Sequence, residues 1–178
     1  IGLRPAETFL TKDEVTRFIN LMEQNGGKVS YRSNNTDTPE PYEINITLFD
    51  AMKESFNKEV NLYVERYICI HTIMLSLEGV PALYIHSLFG TSNDHALFKQ
   101  TNQNRSINRG KIKISEIDLS KQSEPHSYIF HQLRKLMLIR KKQPAFHPNA
   151  VQFTLHLGRN LYGICLLYTS DAADEERG

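Results

Sequence analysis

Two arginines four residues apart, Arg105 and Arg109, lie in a polar stretch of asparagines and serines. A guanidinium presents a rigid fork of donors that suits adjacent hydroxyls, a carboxylate or a phosphate. The same fork can brace a long loop by donating to backbone carbonyl oxygens. From the residues alone, bracing is the preferred interpretation for both arginines, and a ligand contact is the alternative.

A second set of candidates joins a tyrosine, a carboxylate and a histidine. Tyr42 offers an apolar ring with a hydroxyl, whereas an ionised Glu43 beside it can only accept hydrogen bonds. His86 ends the short apolar run 82–86, so it can line a pocket, although a core histidine with a satisfied ring is preferred. Asp94 either caps a loop or lines a pocket, and capping is preferred.

The metal-binding residue types show no metal-site spacing. The chain has seven histidines and two cysteines. Cys69 and Cys165 match no zinc pattern, and no histidine pair has carboxylate support at ligand spacing. We therefore expect no metal and no cofactor.

Three helices are predicted to position these residues. The first begins at a capping box of Thr11 and Glu14 and ends at a glycine pair, 26–27. The second spans about 60–78 and is apolar on most sides, which predicts burial inside a sizeable protein. The third spans about 125–142 and is rich in bases at its C-terminal end, as the helix dipole favours.

Polar loops and strands complete the pattern. Residues 28–43 and 87–110 are poor in apolar side chains and are predicted to be long loops, which are commonly functional. The continuous apolar run 82–86 is typical of a buried parallel strand. Apolar and polar residues alternate over 151–157, which predicts a half-exposed antiparallel strand.

This order of elements is typical of the C-terminal end of a parallel α/β barrel. We predict an α/β fold in which residues 1–148 form the C-terminal part of a TIM-type (β/α)8 barrel. Residues 149–164 would begin an all-β C-terminal domain. A whole barrel needs about 250 residues, more than the 178 present. Residues 165–175 resemble a translated sequencing adapter, so 165–178 are predicted to be an adapter-derived tail. The chain also starts in what looks like the middle of a loop, so we expect an internal fragment.

Composition argues against several classes of partner. The formal net charge is +1, from 21 basic and 20 acidic residues. No charge excess therefore predicts binding to nucleic acid or to a charged membrane surface. The sequence has no apolar run of membrane-spanning length and no signal-peptide pattern. A cytoplasmic protein is the default expectation.

Six short motifs, in order from residue 1 to about residue 164, resemble the sucrose phosphorylase branch of the α-amylase superfamily, glycoside hydrolase family thirteen. The motifs are Ile-Gly-Leu-Arg-Pro-Ala-Glu (1–7), Pro-Tyr-Glu-Ile-Asn-Ile-Thr (41–47), Gly-Val-Pro-Ala-Leu-Tyr (79–84), His-Ser-Leu-Phe-Gly (86–90), Arg-Ser-Ile-Asn-Arg (105–109) and Gln-Pro-Ala-Phe-His-Pro (143–148). The Pro-Tyr-Glu and His-Ser-Leu-Phe-Gly forms are more similar to the glucosylglycerate phosphorylases. In sucrose phosphorylase proper, a glutamine usually stands at the position of Glu43.

The resemblance implies a retaining enzyme that cleaves an α-glucoside with phosphate and releases α-glucose 1-phosphate. One carboxyl group acts as nucleophile and a second as acid and base, while a third helps to hold the distorted sugar. The resemblance places Ile1 and Gly2 at the end of a motif that all three carboxylates precede. We therefore expect no catalytic carboxylate in this chain and no activity from it alone.

The resemblance also implies binding roles. It places Arg105 on the hydroxyls of the bound glucose, and Tyr42 and Glu43 on a mobile loop that serves the leaving sugar and the phosphate. Glu43 would face hydroxyls or turn away from phosphate. His86 would line the pocket and Arg4 would reach the acceptor.

Other functions stay open from the sequence. The same fold can serve a hydrolase or transglucosylase, or a catalytically silent carbohydrate-binding relative. A truncated reading frame that never folds is a further alternative. The acceptor can be fructose, fructose 6-phosphate, glycerate or glycerol. Expected partners are a sugar and inorganic phosphate as co-substrate, with a homodimer left open.

Overall fold

The computed structural model describes residues 2–33, 39–53, 62–113, 115, 117–121, 124–158 and 160–167. The α-helices and strands are α1 (Lys12–Gln24), β1 (Lys28–Arg32), β2 (Glu40–Asn45), α2 (Leu48–Ala51), α3 (Tyr63–Ser76), α4 (Ile85–Leu88), α5 (His95–Thr101), α6 (Pro125–Lys142), β3 (Val151–Leu155) and β4 (Gly163–Leu167). Short 3₁₀ helices occupy Ala6–Thr8, Asn104–Asn108 and Pro144–Phe146.

Helix α1 begins and ends where the sequence predicts. The backbone N–H of Glu14 donates to the Thr11 hydroxyl at 3.3 Å, and the Glu14 carboxylate accepts from the Thr11 N–H at 2.8 Å. That backbone hydrogen bond is the main cause that lowers the pKa of Glu14. Gly26 follows the helix at φ 86°, a left-handed conformation that glycine adopts without steric cost. The capping box and the glycine stop are confirmed.

The predicted loop 28–43 is wrong, because most of it forms an antiparallel hairpin. β1 pairs with β2, and Val29 lies opposite Ile44. Both side chains are buried. A hairpin needs only one apolar face to pack on a core, so two well-placed side chains suffice in an otherwise polar segment. Residues 34–38 of the predicted loop lie outside the described part of the chain.

The second predicted loop, 87–110, is also partly regular. It contains α5 and the 3₁₀ helix Asn104–Asn108. Asp94 caps α5 by accepting from the Leu97 N–H at 2.8 Å, so its predicted capping role is confirmed. The loop prediction failed because α5 has only seven residues, too few to show a helical period in the sequence.

Helix α6 spans the predicted residues, and α3 lies within the predicted range. Within this chain Tyr67, His71 and Leu75 are the buried residues of α3, and its burial on most sides inside a larger protein stays a prediction. In the described part of the chain, α3 packs chiefly against α6 and α2. Two neighbours cover one stripe of a helix and leave its remaining apolar residues partly exposed.

Two apolar clusters form the core of the described residues. The first joins α1 to the hairpin through Leu3, Met22 and Ile44, with further buried neighbours. The second packs Phe49 and Tyr67 against Ile129 of α6. The rings of Phe49 and Tyr67 meet edge to face with centroids 5.6 Å apart, a favourable aromatic geometry.

The predicted parallel strand at 82–86 is wrong. Residues 80–84 form no ladder, and α4 begins at Ile85. Val80 is 82% exposed and Tyr84 is 54% exposed. A parallel strand needs neighbours for its backbone N–H and C=O groups, and none of the described residues pairs with this segment.

The alternating strand near the C-terminus is confirmed as β3. It pairs antiparallel with β4, so that Phe153 lies opposite Cys165. β4 therefore includes Cys165 and the next two residues of the segment 165–178. Residues 168–178 lie outside the described part.

The α/β prediction is confirmed at the level of class. The described residues form helices with two antiparallel hairpins, whereas the prediction had a parallel sheet. Among the described helices, none is both long enough and apolar enough to cross a bilayer.

Candidate substrate-binding site

Arg105 and Glu43 form an ion pair, although 62 residues separate them in the sequence. The Arg105 Nε donates to the Glu43 Oε2 at 3.2 Å. The Arg105 side chain is 56% exposed and that of Glu43 is 25% exposed. The structure thus brings together two of the predicted binding residues at a surface that solutes can reach.

Arg105 is the second residue of the 3₁₀ helix Asn104–Asn108, which is fixed at both ends. Ile107 is fully buried, and its carbonyl accepts from the Asp94 N–H at 2.7 Å. Asn104 donates to the Val29 carbonyl at 3.0 Å and to the Ser30 hydroxyl at 3.2 Å. The backbone of Arg105 is therefore held while its side chain extends outward.

Tyr42 is the extra residue of a β-bulge. Ser30 pairs with Glu43 and the next pair is Tyr31 with Pro41, so Tyr42 has no partner across the β1–β2 ladder. Its carbonyl instead accepts from the Leu3 N–H at 3.0 Å. Bulges re-aim side chains and are common beside active sites. Tyr42 is 37% exposed, next to the ion pair along the strand.

Arg4 lies beside the same strand. Gly2 forms an isolated antiparallel bridge with Glu43, and Leu3 is buried in the first apolar cluster. These two contacts dock the N-terminal segment along β2. Arg4 follows immediately in an exposed turn, so its backbone is near the ion pair.

His86 lies in α4 and not at the end of a strand, so that predicted position is corrected. Its Nδ1 is 2.8 Å from the Thr91 hydroxyl, and its ring lies 4.9 Å from that of Tyr84. Desolvation lowers the pKa of His86, while a hydrogen bond with the Gly110 backbone opposes that shift. The ring is mainly neutral at pH 7, and its Nδ1 is already engaged with Thr91. This agrees with the structural role that the sequence favours for His86.

Several other histidines bond backbone carbonyl oxygens, which supports structural roles. His71 Nδ1 lies 2.9 Å from the Tyr67 carbonyl, His126 Nδ1 3.0 Å from that of Phe89, and His131 Nε2 2.9 Å from that of Leu119. The described residues include no group of three metal-ligating side chains.

Two cavities of similar volume lie in the described part of the chain. One of about 420 Å³ is lined by the C-terminal parts of α3 and α6, including Leu75, Arg140 and Phe146. Another of about 430 Å³ lies between α1 and the start of β2, and its lining ends at Pro41, one residue before Tyr42. Neither Arg105 nor Glu43 lines either of these two cavities.

Sequence reasoning missed the asparagines that connect these segments. Asn93 accepts from the Thr47 N–H at 2.8 Å and donates its own N–H to Asp50 at 2.7 Å. The sequence favours turn formation for Asn104, yet its amide reaches β1 across 75 residues. Asparagine-rich loops give no sequence signal for such partners, because turn formation explains asparagine equally well.

Comparisons with known proteins agree with the motif resemblance. No family model matches the chain. It is 36% identical over 155 residues to glucosylglycerate phosphorylase of Allomeiothermus silvanus, covering 85% of this chain and 28% of that protein. Identity to glucosylglycerate phosphorylase of Escherichia coli K12 is also 36%, over 153 residues, covering 84% of this chain and 27% of that protein.

A solved structure shares the fold. Sucrose 6F-phosphate phosphorylase from Thermoanaerobacter thermosaccharolyticum matches with a TM-score of 0.65 and 23% identity, covering 83% of this chain and 27% of that one. The chain is therefore homologous to one segment of the sugar phosphorylases related to sucrose phosphorylase. Within that class, two of its relatives are glucosylglycerate phosphorylases. The resemblance drawn from the six motifs is confirmed, and the chain spans less than a third of the length of these relatives.

Proposed function

We propose that this chain is part of a retaining glycoside phosphorylase that transfers glucose from an α-glucoside to inorganic phosphate. The observation that carries the proposal is the 36% identity to two glucosylglycerate phosphorylases over more than four fifths of the chain. The full-length enzyme would release α-glucose 1-phosphate. Because two relatives carry glucosylglycerate in their names, glycerate is the first acceptor to test, before fructose, fructose 6-phosphate and glycerol.

In this proposal the chain supplies binding groups and other parts of the enzyme supply the catalytic carboxylates. A nucleophilic carboxylate forms the glucosyl-enzyme, and an acid/base carboxyl protonates the leaving oxygen and then activates phosphate. Arg105 donates to the glucose hydroxyls, and Tyr42 presents an apolar face to the sugar. The contact with Glu43 supports this arrangement, because it brings the two binding residues together while more than half of the Arg105 side chain stays exposed.

Glu43 then has a definite part in the phosphate step. A free carboxylate near an incoming phosphate repels it, whereas a carboxylate paired to Arg105 is largely neutralised. The 3.2 Å contact supports the option in which Glu43 turns away from phosphate. Arg4 reaches the acceptor from the docked N-terminal segment, and His86 lines the pocket wall without a proton-transfer role.

The remaining assignments are proposals of the same kind. Residues 1–148 form the C-terminal part of a (β/α)8 barrel, 149–164 begin the β domain, and 165–178 are an adapter-derived tail. The β3–β4 hairpin, which starts at Val151, supports the boundary near 149. The full-length enzyme is cytoplasmic and needs no cofactor, with inorganic phosphate as its co-substrate. Its mass in solution tests whether it is a homodimer.

Product analysis tests the function directly. The full-length enzyme is incubated with glucosylglycerate or with sucrose, each with and without inorganic phosphate. A phosphorylase releases glucose 1-phosphate only when phosphate is present. Equal release of free glucose under both conditions would instead establish a hydrolase, and new oligosaccharides a transglucosylase. No reaction with any α-glucoside would favour a carbohydrate-binding relative.

A further inference from the structure

Two consecutive residues of the 3₁₀ helix Asn104–Asn108 contact two residues that are paired across the β1–β2 hairpin. Asn104 and Arg105 are consecutive in their 3₁₀ helix, whereas Ser30 and Glu43 are register partners across the β1–β2 hairpin. Asn104 bonds the Ser30 hydroxyl at 3.2 Å, and Arg105 bonds Glu43 at 3.2 Å. The four residues thus form a closed ring of contacts. A peptide bond joins Asn104 to Arg105, the strand pairing joins Ser30 to Glu43, and the two side-chain contacts connect these pairs.

The Asn104 end of this ring is better shielded than the ion pair. Ser30 Oγ also accepts from the amide of Asn45 at 3.0 Å, and Asn45 is buried. Two amide donors therefore use both lone pairs of one hydroxyl. Asn104 donates in addition to the Val29 carbonyl at 3.0 Å. Four residues and three segments meet in a polar cluster whose hydrogen bonds are partly protected from water.

An exposed ion pair cannot fix a long arginine by itself. Such pairs contribute little, because holding two flexible side chains costs conformational entropy and solvent weakens their attraction. Arg105 is more than half exposed. Its position must therefore be set by its backbone, and the adjacent Asn104 is the residue that ties this backbone to the strand pair carrying Glu43.

We propose that Asn104, Ser30 and Asn45 form a latch that positions Arg105 against Glu43. These three are positioning residues, since none of them needs to touch substrate. The inference rests on the proposed function, in which Arg105 binds the sugar. It adds that the geometry of Arg105 is determined by the hydrogen bonds of the preceding residue.

The test uses the full-length enzyme and a double-mutant cycle. Asn104→Ala should lower kcat/KM for phosphorolysis on the order of tenfold, because small displacements of a binding group are costly. Glu43→Gln should lower it as well. If the latch acts through the ion pair, Asn104→Ala combined with Glu43→Gln should cost little more than the larger single effect, since coupled residues are not additive.

Two further variants separate positioning from general destabilisation. Ser30→Thr keeps the hydroxyl and suits a strand, so it should retain most activity, whereas Ser30→Ala should behave like Asn104→Ala. Arg66→Ala serves as the matched control, because it removes hydrogen bonds to the Met52 and Lys53 carbonyls and none to the residues of the latch or of the ion pair. Its effect on kcat/KM should add to that of Glu43→Gln.

Additive effects of Asn104→Ala and Glu43→Gln, or equal activity of the two Ser30 variants, would overturn the latch. A crystal structure of Asn104→Ala tests the latch independently of activity. The latch requires the Arg105–Glu43 contact to be lost, and a contact that persists at hydrogen-bond distance rejects it. A wild-type enzyme that releases no glucose 1-phosphate rejects the proposed function instead, and the variant structure still decides on the latch.

Discussion

At the scale of single residues, the polar groups of α3 are stabilised by specific partners. Tyr67 is fully buried, and its hydroxyl donates to the Ser87 carbonyl at 2.6 Å. Burial raises the pKa of Tyr67 to about 12, although the hydrogen bond with Ser87 opposes the shift. The phenol is therefore protonated at neutral pH and can donate.

Tyr67→Phe should lower the free energy of unfolding by about 1–3 kcal/mol, because the Ser87 carbonyl loses its donor in a buried place. Thermal unfolding of the full-length enzyme measures the change. Tyr128→Phe is the control, since Tyr128 lies 42% exposed on α6. Equal midpoints for the two variants would show that the Tyr67 hydroxyl contributes nothing.

His71 gives a pH dependence whose sign follows from its environment. Desolvation lowers the pKa of buried His71 below its ordinary value of 6.5, against a weaker opposing hydrogen bond with the Tyr67 backbone. The unfolded chain then binds more protons than the folded one just below pH 6.5. Stability should therefore fall as the pH drops through that value.

His71→Gln removes the titrating group and should flatten the pH dependence of the unfolding midpoint between about pH 7 and pH 5. His147→Gln is the comparison, because His147 is exposed. An unchanged slope in His71→Gln would assign the acid sensitivity to other groups.

At the scale of elements, Arg140 of α6 completes the C-terminal end of α3. Its guanidinium donates to the carbonyls of Leu75, Leu77 and Gly79. The last carbonyls of a helix have no partner within the helix. Arg140 satisfies that of Leu75 and also binds the carbonyls of Leu77 and Gly79, which follow the helix. Phe146 stacks on the guanidinium at 4.6 Å.

Arg140→Lys should destabilise the protein by about 1 kcal/mol or more, because an ammonium cannot span three carbonyls as a planar fork does. Lys141→Arg is the control on the same helix turn. Denaturant unfolding compares the free energies of unfolding of the two variants. An Arg140→Lys variant as stable as the wild type would refute the capping role.

Gly90 gives a second prediction about how elements pack. It adopts φ 55°, and an added Cβ would lie 2.6 Å from the Cδ1 of Ile129. Gly90→Ala should therefore destabilise the contact between α4 and α6, by about 1–3 kcal/mol as overpacking does. Gly2→Ala is the control, since nothing lies within 4 Å of its added Cβ. The unfolding midpoint of Gly90→Ala should be clearly lower than that of Gly2→Ala.

The helices whose ends are marked by residues close together in the sequence were predicted correctly. The capping box at Thr11 and the proline start of α6 are written within a few residues, and both helices are found where expected. The hairpin β1–β2 was missed because its register depends on pairs such as Val29 with Ile44. The motif resemblance led to Arg105 and Glu43, but not to their contact or to Asn104, whose partners lie 74 and 75 residues away.

At the scale of the whole molecule, large apolar side chains remain at the surface of the described part. Val80, Tyr84 and Ile85, within or just before the segment predicted as a strand, are each at least half exposed. Exposed apolar side chains that form a patch commonly mark a contact surface. The chain spans 27–28% of the length of two relatives, so in those relatives most of the sequence lies outside the matched segment.

The 178-residue chain expressed alone should therefore bind a hydrophobic fluorescent dye more strongly, per mole, than the full-length enzyme does. Val80→Ser combined with Ile85→Ser should reduce dye binding of the isolated chain. Phe9→Ser is the control, because Phe9 is 85% exposed elsewhere. Equal dye binding by the isolated chain and the full-length enzyme would show that no further segment covers this surface.

The bulge at Tyr42 also governs which insertions this segment tolerates. Ser30 and Glu43 are the last register pair before the bulge, so an extra residue between Lys28 and Ser30 would shift the pairing by one and reverse the faces of the strand. A single codon would then displace the β1 partners of Asn104 from their places opposite Glu43. Arg32 and Glu40 form the last register pair, so extra residues after Arg32 and before Glu40 leave this register unchanged, and natural length variation should be found there.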